Sequence, residues 1–328
     1  MIQLMIMFLL SVLVITAVAV VQARNLFASV MLMGIFSLLI AAVFFLLDAA
    51  DVALTEAAVG AGIATVLMLS ALALTDEQER LPRQRNFLAL LVVLITAGTI
   101  LYATFDKPAL GDPEAPVQQH IAPQYIEMTR TLVDIPNIVT AVLGSFRAYD
   151  TLGEVFVVFA AGIGVVFLLG SGSPVGRVAP PPLDMTPEGL RTHQPLRIMG
   201  KVVIPFIVLF ALYVQFHGEY SPGGGFQAGA LFAAGVILYG LLEGESRVLT
   251  VIPPNILRYM AAGGALIFSA TGVVTILLGG DFLQYEVLSE DTVQAQQLGI
   301  IIIEAGVGIT VAGVLLLIFH AFAARDDL

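Results

Sequence analysis

Nine long apolar runs dominate the pattern of hydrophobic and polar positions along the chain. Most of them approach the roughly 20 apolar residues that a helix needs to cross a bilayer. The pattern therefore predicts an all-α integral membrane protein with about nine transmembrane helices. The runs cover residues 4–21, 26–47, 52–74, 87–105, 152–169, 202–216, 226–242, 256–278 and 298–322.

The first run is predicted to be a membrane-spanning helix and not a signal peptide. No Lys or Arg precedes it, and its apolar stretch is longer than the hydrophobic region of a signal peptide.

Two polar segments interrupt the helical pattern. Residues 171–195 contain six of the sixteen prolines and are predicted to form a cytoplasmic linker. This linker divides the chain into a module of about five helices at 1–170 and a module of four helices at 196–328. The second segment, residues 106–135, is polar and too long for a turn. After Pro136 the sequence is amphipathic, which predicts one short helix at the outer surface.

The distribution of basic residues predicts the orientation in the membrane. Nine spans place alternate loops on opposite faces, and cytoplasmic loops are enriched in Lys and Arg. One face carries only Lys107, Arg130 and Arg147, so that face is predicted to be outside, together with the N-terminus. The other face, with the C-terminus, is then cytoplasmic. It holds eleven of the fourteen basic residues: Arg24, Arg80, Arg83, Arg85, Arg177, Arg191, Arg197, Lys201, Arg247, Arg258 and Arg325.

Composition removes several classes of function. Hydrophobic residues make up 58% of the chain and charged residues 12%, about half the charged share of a soluble protein. Cysteine is absent and the four histidines lie far apart, which excludes a disulfide, a thiolate nucleophile, an iron–sulfur cluster and a Cys/His zinc site. No cofactor is expected. The net charge of −11 comes without a basic patch, so a nucleic-acid partner is not expected either.

Three carboxylates fall within the predicted spans, where a charge is costly unless it faces a partner, water or an ion. Glu56 shares its helix with Asp51 and Thr55, whose oxygens suit a hard cation or a proton; the alternative is a hydrogen bond to a neighbouring subunit. For Glu304 the same two interpretations stand. Glu154 lies near the interface, where an ion pair among Arg147, Asp150 and Glu154 is the preferred interpretation.

Lysine is nearly absent. Lys107 and Lys201 are the only lysines, and both are predicted at membrane interfaces, so no buried Lys–Glu pair is expected within this chain. Buried lysines commonly pass protons across membranes because their pKa falls readily. The chain is therefore predicted to contribute to a path whose remaining groups belong to other subunits. No nucleophile–base constellation indicates a stand-alone enzyme or an organic substrate.

The sequence FHGEYSPGGGFQAGA joins the sixth and seventh runs. Its three consecutive glycines permit backbone conformations closed to other residues, and histidine is the residue type whose ordinary pKa lies nearest neutral pH. The segment therefore predicts either an intersubunit contact beside a hydrated outer path, or a tight turn with His217 hydrogen-bonded to backbone. The turn residues are Pro222, Gly223, Gly224, Gly225 and Phe226.

These motifs resemble a known family. The PGGGF turn with a preceding histidine, the four spans and the early acidic residue Glu304 are similar to the MrpB (MnhB) subunit of Mrp-type multisubunit sodium/proton antiporters. DVALTEAAVGAGI and NIVTAVLGSFRAYDTLGE in the first module resemble the C-terminal part of the MrpA subunit of these complexes, which recurs as small subunits of membrane-bound hydrogenases. One departure is Ser145, where related sequences place an acidic residue.

The resemblance implies partners and a role. It implies other hydrophobic subunits, including large complex I-like antiporter subunits that carry the lysine relay, in a prokaryotic cell membrane. It also implies that Glu56, with Thr55 and Asp51 as neighbours, takes part in a sodium path. The expected function is that of a membrane subunit of a cation/proton antiporter, in contact with membrane lipid. The ion-translocating arm of a hydrogenase-like redox complex and a non-conducting scaffold stay open as alternatives.

Overall fold

The computed structural model describes residues 1–72, 75, 78–79, 87–109, 111–170 and 194–323. Residues 171–193 of the predicted linker lie outside this part of the chain, as do Arg80, Arg83, Arg85, Arg177, Arg191 and Arg325. Within the described residues the structure is helical, and the extended pairing there is an isolated antiparallel bridge between Asn25 and Gln78.

Nine helices in the described residues are long and apolar enough to cross a membrane, which confirms the predicted fold class. In a bilayer the backbone must satisfy its own hydrogen bonds, and a helix does so within one segment. The spans lie in α1 (Ile2–Gln22), α2 (Leu26–Leu46), α3 (Ala50–Leu72), α4 (Phe87–Thr104), α8 (Ala148–Gly170), α9 (Gln194–His217), α10 (Gly225–Glu243), α12 (Pro254–Leu277) and α13 (Thr292–Ala323).

Three spanning helices begin four or more residues earlier than their apolar runs predict. Helix α8 begins four residues before Leu152, α9 eight residues before Val202 and α13 six residues before Leu298. Their first turns are polar, as expected where a helix extends beyond the hydrocarbon region. Apolar runs therefore locate the membrane-embedded part of a helix and miss its extensions.

The segment between α4 and α8 is more helical than predicted. Short helices α5 (Pro116–Gln119) and α6 (Ile121–Met128) precede a π-helical turn, Thr129–Val133, which ends at the left-handed residue Asp134. Helix α7 (Ile138–Ala141) then begins after Asn137, close to the predicted start after Pro136, and continues as a π-helical turn, Val142–Phe146. Beyond α10, the sequence analysis also missed α11 (Glu245–Val251) and a 3-10 turn, Tyr285–Leu288.

Helix α3 changes its winding within the membrane span. It is α-helical over Ala50–Thr55, π-helical over Glu56–Ala64 and α-helical again over Thr65–Leu72. A π-helical segment alters the direction of the side chains that follow it, and such segments often occur at functional sites.

The two halves of the sequence pack together in two hydrophobic clusters. Val133, Ala141 and Val155 from the first half pack in the same cluster as Phe268 and Ile303 from the second. Ile63 of α3 packs with a second cluster formed by α10, α12 and α13. The division into modules at 1–170 and 196–328 stays a prediction about sequence organisation, because the halves fold against each other.

Helix α13 is the centre of this arrangement, and glycine permits its close contacts. A side chain at Gly225 or Gly229 of α10 would collide with backbone atoms of α13, at Glu304 O and Gly308 O respectively. A side chain at Gly264 of α12 would collide with Gly306 O. Small residues at such interfaces let helix backbones approach closely in a membrane.

Helix α4, in contrast to α13, packs against little of this chain. Every one of its residues is exposed on the isolated chain. Its apolar surface is therefore left to lipid or to other subunits.

Lys201 pairs with a buried glutamate at one end of the helices, and the lysine itself is half exposed there. Lys201 Nζ lies 2.8 Å from Glu243 Oε1, and the Glu243 side chain is only 1% exposed. Arg197 and Arg247 contact the same carboxylate at 2.5 and 2.7 Å, so three cations offset the cost of burying it. The pairing was missed because Glu243 ends α10 at the boundary of an apolar run. Lys201 is itself about half exposed, so the cluster lies at one end of the helices.

The cluster around Glu243 and the turn between α9 and α10 lie at opposite ends of α10, as an alternation of spans requires. The assignment of the turn to the outside stays a prediction from the basic residues.

Candidate functional site

The turn between α9 and α10 is the starting point of the site. Helix α9 ends at His217 and α10 begins at Gly225, with Gly224 in between at φ +130°. This backbone region is open to glycine and strained for other residues. The turn is also crowded, because a side chain at Gly223 would lie 2.8 Å from the carbonyl oxygen of Val214.

Glu304 of α13 faces this turn. Its Oε2 lies 3.2 Å from the position that a Cβ of Gly218 would occupy, and its Oε1 lies 3.2 Å from the equivalent position at Gly224. Within the part of the chain that the structure describes, no hydrogen bond or ion pair involves this carboxylate. A partly buried carboxylate without a hydrogen-bond partner, placed within a membrane span, is costly unless it carries a proton or meets a cation.

Asp51, at the start of α3, fixes the turn from the other side. Its Oδ1 accepts hydrogen bonds from the backbone N–H of Gly223 at 3.0 Å and from Asn137 Nδ2 at 3.3 Å. Asp51, which was predicted as a neighbour of Glu56, therefore connects α3 to the turn of the second half.

Asn137 ties three segments together. Its Nδ2 also donates to the carbonyl oxygens of Gly218 and Ser221, at 2.9 and 3.1 Å. Its Oδ1 caps α7 by accepting from Val139 N and Thr140 N. Thr140 Oγ1 adds a bond of 2.7 Å to the same Gly218 oxygen. Every hydrogen-bonding atom of the Asn137 amide is used.

Gln227 of α10 contacts α3 directly. Its Nε2 donates to Thr55 Oγ1 at 2.8 Å and to the backbone oxygen of Asp51 at 3.4 Å, and its Oε1 lies near Gly224. Thr55, predicted as a neighbour of Glu56, thus contacts the second half of the chain.

Three acidic groups gather at the turn. The carboxylates of Glu219 and Asp51 both act electrostatically on Glu304. Burial raises the pKa of the Glu219 carboxyl above its ordinary value, so this group keeps its proton to a higher pH than an exposed glutamate. Its Oε1 is buried without a hydrogen-bond partner among the described residues. The site therefore favours positive charge or shared protons.

Two predicted residues lie apart from this cluster. The Glu56 carboxylate folds over Gly60, where a side chain would lie 2.5 Å from Glu56 Oε1 and 2.9 Å from Ser37 Oγ of α2. Glu56 therefore faces the interface with α2. His217 is exposed, and its ring stacks on Tyr213 with centroids 4.2 Å apart.

The turn Pro222–Gly223–Gly224–Gly225–Phe226 contacts Glu304 and Asp51 of this chain, and Asn137 bonds to Ser221 directly before it. The predicted intersubunit contact stays a prediction.

The predicted ion pair near α8 is formed by two of its three residues. Arg147 Nη2 lies 2.5 Å from Asp150 Oδ2, while Glu154 is exposed and is absent from the ion pairs of the described residues. Ser145, the departure noted in the sequence analysis, donates to Gln296 Oε1 of α13 at 2.6 Å. A neutral contact between the two halves therefore exists at that position.

Sequence reasoning missed Asn137, Glu219 and Gln227. An asparagine directly after a proline and before an apolar stretch is a helix-cap signal, so the cap function of Asn137 was open to prediction. Glu219 and Gln227 lie within the glycine motif, but no local pattern shows which segments they meet.

Comparison with known proteins places these features in a family. Residues 195–317 match the domain related to the MnhB subunit of Na⁺/H⁺ antiporters. A putative antiporter subunit mnhB2 of Staphylococcus haemolyticus is 34% identical over 134 residues, which are 39% of this chain and 92% of that protein. The chain belongs to the MnhB family of antiporter subunits. The putative subunit mnhB2 of Staphylococcus aureus (strain Newman) is 33% identical over 126 residues, 35% of this chain and 89% of that protein.

The MnhB match covers the second half, and the first half matches other families. Residues 11–77 match the MbhD family and residues 83–180 match the MbhE family, both of which are subunits of MBH. An uncharacterized protein of Methanocaldococcus jannaschii is 32% identical over 172 residues, which span half of this chain and 65% of that protein.

Two solved structures share the fold of this MnhB-family chain. A chain of the Mrp complex from Dietzia sp. DQ12-45-1b aligns with 98% of it at a TM-score of 0.75 and 23% identity, and the alignment spans 35% of that longer chain. A chain of the membrane-bound sulfane sulfur reductase, an archaeal respiratory membrane complex, aligns with 70% of it at a TM-score of 0.50 and 24% identity, over 96% of that chain.

The hydrogen bonds of Asn137 generate a stability prediction. Asn137→Asp keeps an oxygen to cap α7, but it removes the donor to three oxygens and adds a charge beside Asp51. We expect a loss of about 1–3 kcal/mol, because buried acceptors are left unpaired. It would appear as a lower thermal midpoint of the purified protein.

Asn25→Asp is the matched control. Asn25 also caps a helix, through Ala28 N at 2.9 Å, and within the described residues its Nδ2 donates no hydrogen bond. The control variant should keep the wild-type midpoint. Equal thermal midpoints for Asn137→Asp and the wild type would show that the hydrogen bonds of Asn137 do not stabilise the fold.

Proposed function

We propose that this chain is a membrane subunit of a multisubunit Na⁺/H⁺ antiporter of the Mrp type, and that it contributes part of the ion path. The observation that carries the proposal is the partly buried Glu304 carboxylate, which lies close to Gly218 and Gly224 and makes no hydrogen bond within the described residues. A proton and a cation can alternate on such a group, which is what antiport requires of a shared site.

The surrounding residues support this assignment. Asp51 and Asn137 hold the turn in place, so the oxygens around Glu304 have fixed positions. Glu219 and Asp51 add negative potential, which attracts cations to the pocket. In the proposed path Glu304 binds the ion, while Glu219 and the exposed His217 lie at its outer entrance.

Glu56 has a proposed role further along α3. It follows Asp51 by five residues, about 7–8 Å along a helix axis. It begins the π-helical segment and faces Ser37 across the α2 interface. We propose that Glu56 binds or relays the cation deeper in the membrane than Glu304, with a path that groups from partner subunits complete.

Partner subunits follow from the same proposal. The fold matches a chain of the Mrp complex, and the relatives are named as antiporter subunits. Exposed helices such as α4 would meet large complex I-like subunits that carry the proton relay, consistent with the scarcity of lysine in this chain. The role is that of a secondary transporter subunit without a cofactor.

Glu304→Gln tests the proposal in the assembled complex. We expect Na⁺-dependent proton exchange in membrane vesicles to fall at least tenfold, because the amide cannot alternate between proton and cation. Glu56→Gln should reduce exchange similarly, whereas Glu290→Gln, on an exposed residue before α13, should leave it unchanged. Normal exchange in Glu304→Gln with full assembly would show that the pocket conducts nothing and would favour a scaffold role.

The matches to MBH subunits and to the sulfane sulfur reductase support a second candidate, the ion-translocating arm of a redox complex. Mass spectrometry of the subunits that co-purify with the tagged chain distinguishes the two. The antiporter proposal expects hydrophobic subunits alone. Stoichiometric nickel–iron or iron–sulfur subunits would establish the redox complex instead.

A further inference from the structure

A second oxygen lies next to Gly224, beside the carboxylate of Glu304. Gln227 Oε1 is 3.5 Å from the position that a Cβ of Gly224 would occupy, and Glu304 Oε1 is 3.2 Å from the same position. Gln227 is 8% exposed, so this amide is almost completely enclosed. Among the described residues no donor reaches its Oε1.

The orientation of the Gln227 amide is determined by its other end. The backbone oxygen of Asp51 can only accept hydrogen bonds, and it lies 3.4 Å from the amide nitrogen. Thr55 Oγ1 uses its own hydrogen on that same Asp51 oxygen, at 2.9 Å, so it too can only accept from Gln227, at 2.8 Å. The NH₂ group must therefore face α3, and the amide oxygen must face Gly224.

We propose that Gln227 Oε1 is a ligand of the transported cation, paired with the carboxylate of Glu304. The inference rests on the proposed function and adds to it the residue that sets cation affinity. Na⁺ is a hard cation that favours carboxylate and carbonyl-type oxygens, and an amide oxygen supplies a dipole without a further negative charge. A single carboxylate with a neutral oxygen suits a monovalent ion.

This arrangement assigns Thr55 a positioning role. Thr55 does not face the cation; it holds the Gln227 nitrogen, and so directs the oxygen on the other side of the amide. Helix α3 of the first half thereby orients a ligand on α10 of the second. The bare Cα of Gly224 leaves the space between the two oxygens open.

The test uses the complete complex in membrane vesicles, with NaCl as the probe. Gln227→Met keeps the size of the side chain and removes the oxygen. We expect the KM for Na⁺ to rise about tenfold with little change in kcat, because a ligand that binds ground state and transition state alike has been lost. The pH profile of exchange should stay the same, since Gln227 does not titrate.

Gln227→Glu should change the KM for Na⁺ in the opposite direction. A carboxylate in place of the amide oxygen strengthens attraction for the cation, so the KM for Na⁺ should fall below that of the wild type. A purely structural role for Gln227 would impair both variants together. Gln296→Met is the matched control, because Gln296 is a similarly buried glutamine whose described side-chain contact is Ser145; its KM for Na⁺ should not change.

The outcomes separate this inference from the proposed function. If Glu304→Gln abolishes exchange while Gln227→Met keeps the wild-type KM, Gln227 is not a ligand and the pocket still conducts. If Gln227→Met fails to assemble, Gln227→Glu serves as the test. A KM for Na⁺ of Gln227→Glu equal to or above the wild-type value then overturns the inference. If Glu304→Gln exchanges normally, the proposed function itself is wrong.

Discussion

The close approach of α10 to α13 is the constraint on which the rest of the site depends. It requires glycine at positions 225 and 229, because any side chain there would meet the backbone of α13. Since α10 begins directly at this contact, the preceding turn must lie over Glu304. The same absence of side chains leaves room beside the carboxylate. Glycine therefore brings the helices together and also keeps the pocket open.

The pocket lies where the two halves of the sequence meet. Asp51 and Asn137 of the first half bind the turn of the second, and Thr55 binds Gln227. Related families match the halves separately, as MBH subunits and as an MnhB-type subunit. In this chain the contacts between them are intramolecular, so a covalent connection keeps together groups that form one site. Because both halves supply these polar contacts, neither half alone would form the pocket as it is.

The sequence was sufficient for the membrane-spanning helices, because the bilayer imposes a length and an apolar composition that can be read locally. It was also sufficient to single out Glu304, Asp51 and the glycine turn, since a carboxylate or a glycine triplet in an apolar run is conspicuous. It was insufficient to predict which distant residues these groups would bond to. The bonds from Asn137 to Asp51, and from Gln227 to Thr55, join residues 86 and 172 positions apart. The contacts of Glu243 with Arg197 and Lys201 were missed for the same reason, because these residues lie on α9, more than 40 positions earlier in the chain.

The Glu304 carboxylate is proposed to bind the transported cation. Carbodiimides modify protonated carboxyl groups in apolar surroundings, and a bound cation protects them, so the rate of modification reports occupancy without any transport assay. Modification of Glu304, followed by mass spectrometry of this chain in the intact complex, should slow markedly as NaCl is added at constant ionic strength with choline. Modification of the exposed Glu154 should not respond to Na⁺. An equal rate of Glu304 modification with and without Na⁺ would show that this carboxylate does not bind the cation.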